Sequence, residues 1–144
     1  MTDPAVRTYD PKKVIITFGA VLFSGYADGS IVTITRNGNL FDKRKGADGS
    51  VDRINMNSND YEVQINLMQS SITNDLLSAI AIADLLANTG INPLTVKDLS
   101  GTTLFFAAQA WIQKDPDDEF GDSLGARQWT LATGIASKFT GGNL

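Results

Sequence analysis

The 144-residue sequence predicts a mainly β fold, a β-sandwich or open barrel with one flanking α-helix. Three observations carry that prediction. Period-two alternation of apolar and polar residues recurs along the chain, most cleanly at 61–68. Only one stretch, about 73–88, shows helical periodicity. The order is strands, one helix, strands, whereas a parallel α/β sheet would alternate the two. The length suits a single domain over 1–144.

Residues 1–12 are polar, contain Pro4 and Pro11, and read as an extended N-terminal arm. Lys13 to Phe23 is β-branched and aromatic but broken at Gly19, giving either two short strands or one bent strand. A turn at 24–29 leads into Ser30–Arg36. There Val32 and Ile34 share one face, and Thr33 and Thr35 share the other with Ile31. A long excursion follows, about 36–53, in which Val51 to Met56 is a candidate short strand. A compact domain has little use for so long an arm unless the arm binds something.

At Tyr61–Met68 the alternation is complete: Tyr61, Val63, Ile65 and Leu67 point one way, Glu62, Gln64, Asn66 and Met68 the other. Ser71 or Thr73 is positioned to cap the helix, with Asp75 in its first turn. Leu76, Leu77, Ile80, Ala81, Ala83, Leu85 and Leu86 form a broad apolar face expected to cover a sheet. Gly90 and Pro93 mark the end of the helix. Thr102–Gln113 reads as a long strand, 115–122 as an acidic loop, and Arg127–Ile135 as the last strand. In that strand Trp129, Leu131 and Ile135 face one side, and Gln128, Thr130, Ala132 and Gly134 the other, which is small and polar. Trp111, Trp129, Phe105 and Phe106 are assigned to the core, and Gly141-Gly142 to a fraying C-terminus.

Composition removes whole classes of function. A net charge of −4 and a pI near 4.6 argue against a protein that grips nucleic-acid phosphates. The absence of Cys and His removes disulfides, thiolate metal sites and the commonest general base. No nucleophile elbow, Ser-x-x-Lys pair or phosphate-binding loop is present. The expectation is therefore a non-enzyme with no catalytic residue and no cofactor. The acidic loop fails the EF-hand template, which requires Gly where Phe120 stands, so no metal is expected there either. No signal peptide or membrane-spanning run is visible, and the chain is expected to be made and to remain soluble in a cytoplasm.

Charge is unevenly divided. In 36–53, Arg36, Lys43, Arg44, Lys45 and Arg53 outnumber Asp42, Asp48 and Asp52, so the arm is basic and the rest of the chain strongly acidic. Such a partition is complementary to itself in a head-to-tail sense, and repeated heterologous contacts close into rings or extend into filaments. Leu40 and Phe41 supply an apolar anchor beside the charges. By charge alone, Asp115, Asp117, Asp118, Glu119 and Asp122 are the candidate acceptor of the arm.

Several segments together resemble the tail tube proteins of contractile-tailed bacteriophages, the PhiTE-type tube family. They are the polar N-terminal arm, the strand Gly-Ser-Ile-Val-Thr-Ile-Thr-Arg, the arm ending Gly-Ala-Asp-Gly-Ser-Val-Asp-Arg, the strand Asn-Asp-Tyr-Glu-Val-Gln-Ile-Asn-Leu, the helix start Ser-Ser-Ile-Thr-Asn-Asp-Leu-Leu and the late β pair. The resemblance implies hexameric rings stacked into a hollow tube through which DNA leaves the particle, with the long arm reaching a neighbouring ring. It also implies a place in the virion tail after assembly in the host cytoplasm, and partners in tail sheath, baseplate or tail tip and tail terminator proteins. The resemblance further implies that no membrane is involved and that DNA passes without specific binding. A wall that lets DNA pass needs acidic or neutral polar side chains. Thr33, Thr35, Glu62, Gln64, Asn66, Gln128 and Thr130 are the candidate lumen residues. Tubes of related bacteriocins and contractile secretion systems are near alternatives. A monomeric β-sandwich that binds glycan or protein, with Tyr26 or Phe120 as its platform, is the alternative of a different class.

Overall fold

Ten strands and one helix make up the computed structural model, which describes residues 6, 9–10, 13–27 and 29–142. Most of the N-terminal arm, and Asp28 of the 24–29 turn, lie outside the described residues. The strands are β1 (Val14–Phe18), β2 (Val21–Leu22), β3 (Val32–Arg36), β4 (Phe41–Lys45), β5 (Val51–Asn55), β6 (Tyr61–Met68), β7 (Asn92–Asp98), β8 (Leu104–Lys114), β9 (Ala126–Thr133) and β10 (Ala136–Phe139), and the helix α1 is Thr73–Ala87. The main sheet runs β2-β1-β7-β8-β9-β6-β3, with β10 also against β8. Every pairing in it is antiparallel. β4 and β5 form a separate hairpin.

Alternation explains the core. Tyr61, Val63, Ile65 and Leu67 of β6 meet Trp129 and Leu131 of β9 and Ile16, Phe18, Leu94, Val96 and Phe105 of β1, β7 and β8 in one buried cluster. Strands far apart in sheet order thus share one interior, because the sheet rolls onto itself. The Tyr61 and Phe105 rings meet edge to face at 5.1 Å across it. Each such buried aliphatic or aromatic side chain contributes about 1.5–3 kcal/mol.

The Lys13–Phe23 segment resolves into two strands around Gly19, whose φ of 59° suits a residue without a Cβ. The helix matches expectation closely in extent but not in packing. It buries Leu77 and Thr73, while Ile82, Leu85 and Leu86 are 60%, 87% and 83% exposed, and Leu76 and Ala83 are exposed as well. The helix is seated by its first turns. Ser24 N–H donates to Thr73 Oγ1 (3.1 Å), and the Trp129 indole N–H donates to Asn74 Oδ1 (2.9 Å). The N-cap residue is Ile72, whose side chain makes no capping bond; Ser71 Oγ, one residue earlier, accepts from Thr73 N–H (3.2 Å). Asn88, in the left-handed conformation, ends the helix two residues before Gly90, and Asp84 Oδ1 accepts from Gly90 N–H.

Three strands run differently from the sequence reading. β7 has no counterpart in the sequence reading, yet it joins β1 to β8. Pro93 sits at its start, where a register shift between Asn92 and Leu94 breaks the ladder, so the missing N–H costs no regular bond. The last strand is broken at Gly134–Ile135 and resumes as β10. Thr133 faces Ala110 and Ala136 faces Ala107, three residues on in one strand and three back in the other, so the register is kept across the break. Inward positions shift with it: Thr133 is buried and Ile135 is 84% exposed. Phe106 likewise points away from the core, since its neighbour Phe105 points in.

Candidate assembly surfaces

The predicted arm is a twisted hairpin on a hydrogen-bonded neck. Facing pairs Phe41–Asn55, Lys43–Arg53 and Lys45–Val51 share one side; Asp42–Ile54 and Arg44–Asp52 share the other. One side is thus cationic, with Phe41 and Val51 at its two ends. Arg53 lies over the Phe41 ring at 4.1 Å. The other side sets Ile54 among Asp42, Arg44 and Asp52. All ten strand residues are exposed. The turn closes through Gly46 N–H to Ser50 O (2.7 Å). Asp48 accepts from the Ser50 hydroxyl and N–H, which hold its carboxyl below the usual value.

The neck gives the hairpin its direction. Gly38 (φ 115°) and Asn57 (φ 52°) turn the two strands as they leave the sheet. A Cβ on Gly38 would lie 2.7 Å from Ser58 Oγ. Asn37 N–H donates to Asp60 O (3.0 Å), and Ala136 N–H donates to Asn59 O (2.8 Å). Arg36 belongs here and not to the arm. Its guanidinium lies 4.8 Å from the Tyr61 ring centre and donates to Ser58 O and to Asn59 Oδ1 (3.2 Å). Leu40, Phe41, Lys43, Arg44, Lys45 and Arg53 remain on the exposed excursion.

The candidate lumen residues fall together. Thr33, Gln64 and Thr130 form one row across β3, β6 and β9; Thr35, Glu62 and Ala132 form the next, and Asn66 faces Gln128. Gln128 Nε2 donates to Gln64 Oε1 (3.5 Å), and Gln64 Nε2 donates to Glu62 Oε1 (3.3 Å). This outward face of β3, β6 and β9 carries no lysine or arginine, and Glu62 is its one ionised group. Arg36 and Arg127, on the same strands, point to the opposite side.

The acidic loop is partly engaged at home. Asp118 approaches the buried Arg127 guanidinium at 3.7 Å, and Asp117 approaches Lys114 at 3.7 Å. Arg127 also lies 5.5 Å from the Phe120 ring centre. Asp115, Glu119 and Asp122 complete the exposed strip. No acidic cluster of metal-binding geometry occurs among the described residues. Tyr26 is half-buried against the core; burial pushes its hydroxyl above the ordinary value, and the group donates to Phe23 O (3.3 Å).

Two apolar features escaped the sequence reading. One is the exposed α1 surface of Ile82, Leu85 and Leu86; the other is Val51 and Ile54 on the hairpin. Strand pairing of Phe41–Lys45 was the missed signal, because Phe-Asp-Lys-Arg-Lys shows no apolar alternation.

Solved structures share this fold at low identity. The anti-feeding prophage tube-terminating cap aligns over 96% of both chains at 12% identity and a TM-score of 0.66. A chain of the sheath–tube complex of an extracellular contractile injection system aligns over 92% of this chain and 91% of its own, at 10% identity and a TM-score of 0.58. A chain of the native gene transfer agent virion aligns at 8% identity and a TM-score of 0.60, over 92% of this chain and 100% of its own. In sequence, structural protein ORF10 of Pseudomonas phage KPP10 is 26% identical, over 94% of this chain and 83% of that protein. The family model of the bacteriophage PhiTE tail tube protein matches residues 14–141. The rolled sheet, the projecting hairpin and the match along nearly the whole chain agree: this chain belongs to the PhiTE tail tube family and is a structural subunit of a phage tail tube.

Proposed function

We propose that this tube subunit forms hexameric rings that stack head to tail into the conduit for genome ejection, with the β3–β6–β9 face toward the bore. One observation carries the reading: a contiguous face across β3, β6 and β9, mostly hydroxyls and amides, with one carboxylate and no base on that side of these three strands, bordered on β8 by Lys114 opposite Thr130. Such a surface stays hydrated and offers phosphates no cationic contact, so DNA slides past it. Among the described residues β3 and β2, the two ends of the main sheet, present edges without a further strand, which lateral neighbours would satisfy.

The β4–β5 hairpin is the inter-ring arm in this reading, and the acidic strip at 115–122 belongs to its landing surface. Relatives of the same fold come from sheath–tube and tube-terminating assemblies, which supports sheath and terminator proteins as partners here, with a baseplate or tail tip at the other end. The family match favours a phage tail over the injection-system tubes of the same fold. Assembly takes place in the host cytoplasm, and the role is mechanical, with no catalysis and no cofactor. Sedimentation of the purified chain at rising concentration, followed by negative-stain microscopy, tests the reading. Hexamers and stacked rings are expected; a monomer at every concentration and salt overturns it.

A further inference from the structure

The hairpin's landing place has a candidate more specific than the acidic loop. Between α1 and the ends of β8 and β9 lies an open groove of about 370 Å³. Ile82, Leu85, Ile112 and Trp129 line it, with Asp84 and Asp115 at its rim. The helix leaves this apolar surface in solvent, with Leu85 87% exposed. Around it, α1 and the 115–122 loop carry seven carboxylates, against one lining base, Lys114, which pairs with Asp117 at 3.7 Å.

We propose that this groove receives the cationic side of the β4–β5 hairpin from a second copy of the chain. The proposal rests on the inter-ring reading of the hairpin and names its partner surface. The match is chemical on two counts. Phe41 and Val51 are exposed apolar side chains at opposite ends of the hairpin side, suited to a floor of Ile82, Leu85 and Ile112. Lys43, Lys45 and Arg53 lie between them, suited to a rim of Asp84 and Asp115. The other side of the hairpin fits less well, because Asp42 and Asp52 would face an already acidic rim. Apolar anchors inside a ring of opposite charge are the arrangement that concentrates binding energy while excluding water. The hairpin side, and Ile82 and Leu85 of the groove, are exposed in the single chain and stand outside its core cluster, while Trp129 and Ile112 join the groove to that core.

The chain has no cysteine, so introduced pairs report contacts cleanly. Val51→Cys with Leu85→Cys places one thiol on each proposed partner, and both positions are exposed. Tubes assembled under reduction and then treated with a short bis-maleimide are expected to give a ladder of covalent multimers. Thr33→Cys with Leu85→Cys, a pairing of the polar face with the groove, is expected to give none. If the first pair blocks assembly, Lys43→Cys with Asp115→Cys tests the rim in the same way. Intact tubes without a ladder from either pair overturn the groove assignment and leave the tube reading standing. A native chain that never forms rings overturns both.

Discussion

Arg36 shows how one residue's neighbours decide its role. In sequence it opens a basic run and reads as part of the arm. In the fold it is the last residue of β3, directly opposite Tyr61, so its side chain turns inward over that ring. Its planar guanidinium stacks and donates at once, to Ser58 O and Asn59 Oδ1, and so ties the returning chain to the sheet. Arg36→Ala is expected to lower stability by about 1–3 kcal/mol, the range for losing hydrogen bonds to a charged donor. Arg36→Lys should recover little of that, since an ammonium cannot stack and fork in the same way. Lys43→Ala, on the exposed hairpin, should be close to neutral. Urea denaturation of the three variants checks this. Equal stability of Arg36→Ala and Lys43→Ala would return Arg36 to the arm.

Among the elements, the helix separates folding from assembly. Leu77 is fully buried, while Leu86 on the same helix is 83% exposed. Leu77→Ala is expected to cost about 2–5 kcal/mol of monomer stability. Leu86→Ala should stay within about 0.5 kcal/mol and instead weaken tube formation. Denaturation at low concentration reads the first effect and sedimentation the second; a large loss of monomer stability from Leu86→Ala would mean that the helix packs more tightly than its exposure implies. The same helix marks the boundary of what sequence discloses. Its extent was legible, because capping groups and apolar spacing are local signals. Which of its leucines are buried was not, because that depends on where β8 and β9 end. β6 was legible to the residue, since period-two alternation over eight positions has one reading. β7 was not, because Pro93, Lys97 and Asp98 leave only Leu94 and Val96 as inward signals, and its neighbours supply the rest. The break at Gly134 likewise has no local signature strong enough to move Ile135 outward. The polar face was readable residue by residue from alternation, but its continuity across three strands emerges only from their register.

At the scale of the whole molecule, charge is sorted onto surfaces with separate tasks. Lys43, Lys45 and Arg53 share one side of the hairpin with no acid among them, the helix and the 115–122 loop carry acid only, and the β3–β6–β9 face is left nearly neutral. A chain that merely needed solubility would gain nothing from clearing lysine and arginine off one face while keeping them on the hairpin. In a tube the distinction matters, because DNA meets only the bore. Each cation there would hold a phosphate and release counterions, and the attraction would repeat at every subunit the genome passes. Gln64→Lys with Gln128→Lys alters two facing-outward side chains on adjacent strands without touching the core. Phage carrying this pair are expected to build tails of normal appearance yet eject DNA more slowly, with the delay shrinking as salt rises, since screening shortens the reach of each charge. Gln64→Glu, which adds repulsion instead, should leave ejection fast at all salts. Time-resolved dye accessibility of the released genome measures both. Normal tails from the double lysine variant with unchanged, salt-independent ejection would mean that this face does not meet DNA, and the bore would have to be sought on another side of the sheet.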